Sequence, residues 1–222
     1  MEAVGESFWW NQAEPLLDGL AARGYPAPEQ LIYDQRRGVF ADAEDRVLLR
    51  PPAVLSPSEP GLDAETWLED LPSRLGLHLL VLLRAGAFAA GLWEDAELIQ
   101  HKCQKRYVSR GRGLAQSTYL AKRGTSRYGS RLRLQNAARL LEELRQRLDD
   151  WIREQSQVQG RGVECLLLGA PVRMRARLFE APIPTAKGLP IHTLGQDFAE
   201  PCFEELGRQY RLCCQGELRI NG

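Results

Sequence analysis

The sequence lacks the patterns that mark membrane, secreted and metal-binding proteins. No run of about 18 apolar residues occurs, so no transmembrane helix is expected. The first ten residues, MEAVGESFWW, have no basic segment followed by an apolar one, which argues against a secretory signal. The five cysteines form no Cys-x-x-Cys pair and the three histidines are scattered, so neither a zinc site nor a disulfide framework is predicted. We therefore expect a cytoplasmic protein with reduced thiols that uses no metal or organic cofactor.

Acidic residues are missing from one long stretch. His101 to Arg133 contains ten Lys or Arg and no Asp or Glu, although the whole chain has 29 of each sign. Residues 1–100 carry the opposite bias, with 7 basic and 17 acidic side chains. A dense basic block favours binding to a polyanion, and RNA is the polyanion we expect. The alternative is a solvated charged surface without a ligand.

The predicted RNA contacts come from this block. His101 and Lys102 could equally be ordinary strand residues, and Tyr107 could pack in a core instead of stacking on a base. The predicted RNA-binding residues are His101, Lys102, Arg106, Tyr107, Arg110, Arg112, Lys122, Arg123, Arg127, Arg131 and Arg133.

The 222 residues predict one α/β domain with a small N-terminal extension. Residues 1–75 read as a helical and loop-rich extension, with a short hairpin from Gly38 to Arg50. The remaining elements follow from apolar runs and from three- and four-residue apolar spacing. In order, they are strands Leu77–Leu83, Ala87–Trp93 and Ala96–Arg110, a loop Ser117–Ser130, a helix Arg131–Glu154, a strand Val163–Leu168, a loop Pro182–Pro190, a helix Pro201–Tyr210 and a strand Tyr210–Cys214.

This order matches a ribonuclease-H-like mixed sheet flanked by helices. The first three strands are expected to be antiparallel, and the helical crossover lets the fourth strand lie parallel to the first. A metal-dependent nuclease on such a sheet needs carboxylates on its first strand. Leu77–Leu83 has none, so that class is rejected.

The basic block contains the loop sequence Gly111-Arg112-Gly113-Leu114-Ala115-Gln116. Glutamine is neutral at physiological pH and is a poor base and nucleophile, so its contribution to catalysis would be positioning. Glycine lets the backbone approach a substrate closely, and backbone N–H groups can stabilise a developing oxyanion. These properties suit hydrolysis of an ester carried by RNA.

Several fixed residues make the stretch similar to a known family. His101-Lys102, Arg106-Tyr107, Arg110, Gly113-x-x-Gln116 and the following Ser-Arg-Tyr-Gly-Ser-Arg-Leu-Arg resemble the catalytic segment of the Vms-like release factors (VLRF). These are relatives of the catalytic middle domain of eukaryotic and archaeal peptide chain release factors. The resemblance extends from about Leu77 to Cys214. It implies that Gln116 is the catalytic glutamine and Gly113 the loop glycine.

The resemblance also implies a function and partners. It predicts a peptidyl-tRNA hydrolase that frees nascent chains on stalled or split large ribosomal subunits, as a monomer without membrane contact. Residues 76–222 would be the catalytic domain, and residues 1–75 would serve in recruitment. Two alternatives stay open. One is a metal-free endonuclease that cuts the tRNA acceptor end, and the other is a non-catalytic ribosome- or tRNA-binding factor.

Overall fold

A computed structural model describes residues 4–57, 59–106, 127–195 and 197–221, with only the backbone described at 127–130 and 158. The described residues form two compact units. Unit 1 is Met1–Gly76 with Gly207–Gly222, and unit 2 is Leu77–Leu206. None of the helices in the described ranges is long and apolar enough to cross a membrane.

The described strands and α-helices are numbered in chain order. The strands are β1 Val4–Trp9, β2 Ile32–Asp34, β3 Val39–Ala41, β4 Val47–Arg50, β5 Leu77–Arg84, β6 Ala87–Glu94, β7 Glu97–Lys105, β8 Val163–Gly169, β9 Ile191–Thr193 and β10 Gln215–Ile220. The helices are α1 Ala13–Ala21, α2 Ala64–Glu69, α3 Arg127–Arg153, α4 Val172–Leu178 and α5 Phe203–Cys213.

Unit 2 contains a five-stranded mixed sheet in the order β7-β6-β5-β8-β9. Strands β5, β6 and β7 are paired antiparallel, and β8 lies beside β5 in parallel. The predicted α/β fold, with three antiparallel strands and a parallel fourth, is confirmed. The short parallel strand β9 was not predicted, because three residues are too few to show an alternating pattern.

The continuous apolar run of β5 is buried on both faces, as its sequence predicts. Leu79, Val81 and Leu83 on one face pack in a core with Leu144 and Leu148 of α3. On the other face, the Leu82 side chain approaches Gly169 so closely that a Cβ there would lie 2.9 Å from it. Burial of apolar side chains at about 25 cal/mol per Å² therefore stabilises the sheet from both sides.

Unit 1 corrects the prediction of a helical and loop-rich N-terminal portion. It contains a second five-stranded sheet in the order β1-β10-β4-β3-β2. The predicted hairpin from Gly38 to Arg50 is present as the antiparallel pair β3 and β4. The sheet as a whole was missed because β10, from the far end of the chain, supplies the strand between β1 and β4.

The prediction that Tyr210–Cys214 forms the last strand is wrong. Leu206, Tyr210 and Cys213 are buried at four- and three-residue spacing, which is the periodicity of a helix, and α5 runs through Cys213. The last strand is β10, where Gly216 and Leu218 alternate with more exposed neighbours. Residues 207–222, which the sequence analysis assigns to the catalytic domain, thus belong to unit 1.

The boundaries around the basic block also differ from the predictions. Helix α3 begins at Arg127, four residues before its predicted start at Arg131, and residues 117–126 of the predicted loop Ser117–Ser130 lie outside the described residues. Strand β7 ends at Lys105, and residues 107–110 of the predicted strand lie outside the described residues. Pro171–Phe179, for which the sequence favours no element, forms α4.

The Asp149 carboxylate of α3 holds the segment before β9 against the helix. It accepts hydrogen bonds from the Thr185 N–H at 3.1 Å and the Thr185 hydroxyl at 2.9 Å, and it pairs with Arg153. Burial opposes ionisation of this carboxyl, but the hydrogen bonds from Thr185 and the charge of Arg153 outweigh it. The pKa of Asp149 is therefore lowered from its ordinary 3.8.

We predict that Asp149→Asn destabilises the protein in a pH-dependent way. A carboxyl whose pKa is lower in the folded state stabilises the fold above 3.8, and this contribution is lost as pH falls through the lowered value. The urea midpoint of the variant should be lower than that of the wild type at neutral pH, with the gap closing in acid. A gap that stays constant down to the acid limit would show that the charge of Asp149 is not involved.

Candidate nucleic-acid interface

The segment that carries the Gly-x-x-Gln sequence joins β7 to α3. The start of the segment lies at the end of the unit 2 sheet where β5 turns into β6, because the Arg106 N–H, just after β7, donates to the Gly86 carbonyl at 2.8 Å. Gly86 belongs to the Ala85-Gly86 turn and also lines a cavity with Arg133 and Leu134 of α3. One hairpin turn thus lies beside the start of the segment and beside the exposed part of α3.

Strand β7 is the edge strand of this sheet, and its side chains alternate between the two faces. His101 and Lys102, predicted together as RNA contacts, therefore point in opposite directions. The His101 ring lies 4.7 Å from the Phe203 ring, centroid to centroid. Lys105, on the same face as His101, pairs with Glu200 at 3.1 Å. These contacts join the edge strand to the residues around the start of α5.

Cys103 lies between His101 and Lys105 on this face of β7. Burial raises the pKa of the Cys103 thiol, and the charges of Cys202 and Glu204 act in the same direction. All five cysteines lie in the described part of the chain, and none forms a disulfide. No group of three or more His, Cys, Asp or Glu placed to hold a metal ion occurs within the described ranges.

Lys102 faces α3 and lines a cavity of about 380 Å³ with Gln104. Helix α3 contributes three carboxylates to this cavity, those of Glu142, Glu143 and Asp150. The cleft therefore has mixed charge, with acids outnumbering its two bases. Such a surface is a poor match for a phosphate backbone.

Arg106 is paired within the protein. Its guanidinium donates through Nε and a terminal nitrogen to the two carboxylate oxygens of Glu143 on α3. The Arg106 side chain is 26% exposed and that of Glu143 is 44% exposed. The ion pair fixes the end of β7 to the helix that follows the segment, so Arg106 has an anchoring role beside its predicted contact with RNA.

Arg131 and Arg133 lie in the part of α3 nearest the segment. Helix α3 has 27 residues, which corresponds to about 40 Å. No side chain between residues 131 and 139 is buried, whereas Leu140, Leu141 and Leu144 are. The first turns of α3 therefore present Arg131 and the 67% exposed Leu134 to solvent.

Arg177 of α4 was not predicted as a site residue. It lines the cavity that contains Gly86, Arg133 and Leu134. The available signal was the stretch 165–179, which has three arginines and no acid. The three arginines lie in Pro171–Phe179, which the sequence could not assign to an element, so they could not be placed beside α3.

The other predicted site residues fall outside the described residues. Only the backbone of Arg127 is described, as the first residue of α3. The predictions that lie outside are the catalytic Gly113 and Gln116 and the RNA-binding Tyr107, Arg110, Arg112, Lys122 and Arg123.

A match to a family model establishes which protein family the chain is related to. The model "Bacteroidetes VLRF1 release factor" matches residues 78–218, which is more than half of the sequence. The chain belongs to this family. The resemblance to Vms-like release factors expected from the sequence is thereby confirmed.

Two relatives of known description agree with this family. The human "tRNA endonuclease ANKZF1" is 31% identical over 185 residues, which cover 78% of this chain and 24% of that protein. The chain thus spans about a quarter of the length of this VLRF relative. The solved structure "Vms1 mitochondrial localization core" matches with a TM-score of 0.50 at 14% identity, covering 94% of both chains. At this identity the match shows a similar fold.

We predict a measurable coupling between Arg106 and Glu143. Exposed ion pairs contribute about 0.2–1 kcal/mol, and the two-pronged geometry favours the upper part of that range. A double-mutant cycle of Arg106→Ala and Glu143→Ala, measured by urea denaturation, should give a coupling energy of about that size. Strictly additive effects would show that the pair does not anchor β7 to α3.

Proposed function

We propose that this chain frees nascent peptides from peptidyl-tRNA on stalled or split large ribosomal subunits. Water attacks the ester carbonyl, the ester C–O bond breaks, and the products are a free peptide acid and a tRNA with its 3′-hydroxyl. The observation that carries the proposal is a family match spanning the sheet, the two ends of the basic segment and the Gly113-x-x-Gln116 sequence. The substrate class follows from that membership together with the basic character of residues 101–133.

The proposed chemistry is positioning without a charged base. The side chain of Gln116 can orient water through its two donors and its acceptor, and backbone N–H groups near Gly113 can stabilise the oxyanion. Such preorganised donors typically supply about 3 kcal/mol of transition-state stabilisation. The catalytic roles of Gln116 and Gly113 rest on their resemblance to the family motif.

The described structure fixes the start of the segment. The Arg106 N–H donates to the Gly86 carbonyl, and the Arg106 side chain pairs with Glu143. The segment is followed by α3, whose turns from Leu140 onward pack in the core. A fixed start lowers the conformational entropy that the segment loses on binding RNA. Arg131 and Arg133 add positive charge beside it for contact with tRNA or ribosomal RNA.

A second candidate activity is cleavage of the tRNA near its acceptor end. The relative ANKZF1 is described as a tRNA endonuclease, and this chain matches a quarter of that protein. Without a metal, an RNA 2′-hydroxyl would attack the adjacent phosphorus and the P–O5′ bond would break, leaving a 2′,3′-cyclic phosphate and a 5′-hydroxyl end, with arginine or lysine stabilising the charged intermediate. The basic residues that suit ester hydrolysis also suit this reaction, so product analysis is needed to separate them.

The parts outside the loop complete the proposal. The partners are the large ribosomal subunit and peptidyl-tRNA, and the protein works as a cytoplasmic monomer. Unit 1, which contains residues 1–75, recruits it, and unit 2, which carries the basic segment, is the catalytic part. The surplus of acidic residues in 1–100 makes a basic partner surface the expected target of recruitment.

We predict that Gln116→Ala abolishes peptide release while leaving ribosome binding intact, because glutamine contributes positioning and no charge. Large subunits carrying a labelled peptidyl-tRNA would be incubated with wild type and variant, and both the peptide and the tRNA 3′ end resolved. Gln135→Ala is the matched control, since Gln135 is an exposed glutamine of α3 outside the loop. The control should release peptide at the wild-type rate.

The products separate the candidate functions. Free peptide with full-length tRNA supports ester hydrolysis. A shortened tRNA, with nucleotides left on the peptide, replaces it with endonuclease action. Wild-type protein that binds the subunit and cuts neither bond would establish a binding factor. Release that persists in Gln116→Ala would overturn the assigned role of that residue.

A further inference from the structure

A cavity of about 290 Å³ lies in unit 2 between the β5–β6 turn and the helices α3 and α4. The Ala85-Gly86 turn forms one wall, α3 contributes Leu134 and Ala137, and α4 contributes Met174. Its apolar lining and its size place it at the small end of ligand pockets. A small planar group would fit such a space better than a phosphate alone.

Two arginines line this cavity from different helices, Arg133 from α3 and Arg177 from α4. The described lining residues include no acidic side chain, in contrast to the larger cavity beside Lys102, which has three carboxylates. Two guanidinium-bearing side chains at one small cavity favour an anionic ligand. Arginine holds phosphate through paired N–H donors and can stack its planar group on a base.

Arg145 of α3 ties the backbone of α4 to α3. Its Nε donates to the Leu178 carbonyl at 2.9 Å, and a terminal nitrogen donates to the Arg177 carbonyl at 2.7 Å. Both acceptors are at the carboxyl end of α4, which carries Arg177. The backbones that bear the two arginines are therefore linked before a ligand binds.

We infer that this cavity binds one unpaired nucleotide of RNA. Arg133 and Arg177 hold its phosphate, and its base lies against Leu134 and Met174. The identification of RNA as the ligand rests on the proposed function. The cavity adds a specificity that a basic surface alone does not have, namely a preference for an unstacked nucleotide over a paired one.

The test measures the binding of RNA probes to the full chain by fluorescence anisotropy. Three labelled probes are an acceptor-stem minihelix with its single-stranded CCA end, the same minihelix made blunt, and an unrelated single-stranded oligonucleotide. Arg177→Ala keeps the backbone carbonyl that Arg145 binds, so the helix pair stays intact. Arg173→Ala removes the same charge from an exposed position on α4 outside the cavity lining and is the matched control.

Arg177→Ala should weaken binding of the CCA-ended minihelix about tenfold while changing the blunt minihelix by less than about threefold. Arg173→Ala should lower the affinities for the CCA-ended and the blunt minihelix by the same small factor. A contact with a phosphate does not depend on whether its nucleotide is base-paired. Ala137→Phe, which fills the cavity without changing charge, should reproduce the Arg177→Ala pattern. Circular dichroism and thermal unfolding verify that each variant folds.

Equal losses from Arg177→Ala and Arg173→Ala, or an unchanged preference in folded Ala137→Phe, would overturn the inference. If the unrelated oligonucleotide behaves like the CCA-ended minihelix, the cavity accepts any unpaired RNA, as ribosomal RNA also offers. Tighter binding of the CCA end assigns it to the tRNA. These assays need no hydrolysis, so absence of peptide release from ribosomes would contradict the proposed function and leave the binding result standing.

Discussion

The two-sided burial of β5 is the constraint on which unit 2 depends. A strand with seven consecutive buried residues cannot lie at an edge or face water on either side. It needs hydrogen-bonded neighbours on both edges, which β6 and β8 supply, and apolar cover on both faces. The parallel pairing with β8 in turn requires a long crossover, and α3 provides it.

The same arrangement sets where the chain leaves β7 and the direction in which α3 returns it. The antiparallel meander brings the end of β7 back beside the Ala85-Gly86 turn, and α3 must start near that end to return the chain to the start of β8. Arg106 reinforces the meeting point through Gly86 and Glu143.

The sequence alone was sufficient to predict the elements that have a strong local pattern. The apolar run of β5, the periodic leucines of α3 and the fixed residues of the loop gave the sheet order and the family. The elements that depend on distant partners were not predictable. β10 is a strand only because β1 and β4 flank it, and Tyr210 lies in a helix although its neighbours read as a strand. In the site, His101 and Lys102 were predicted together as RNA contacts because they are adjacent in the sequence. Side chains alternate along a strand, so the two residues lie on opposite faces of β7.

Helix α3 has two halves, one packed in the core and one without buried side chains. The half from Leu140 onward is tied to core packing, and a change of even one methylene there is costly. The half before it, residues 131–139, has no buried side chain, so its charge and shape can vary at little cost to folding. The side chains of this half can therefore be substituted while the packed half stays unchanged. One continuous helix thus combines a half fixed by the core with a half that folding constrains little.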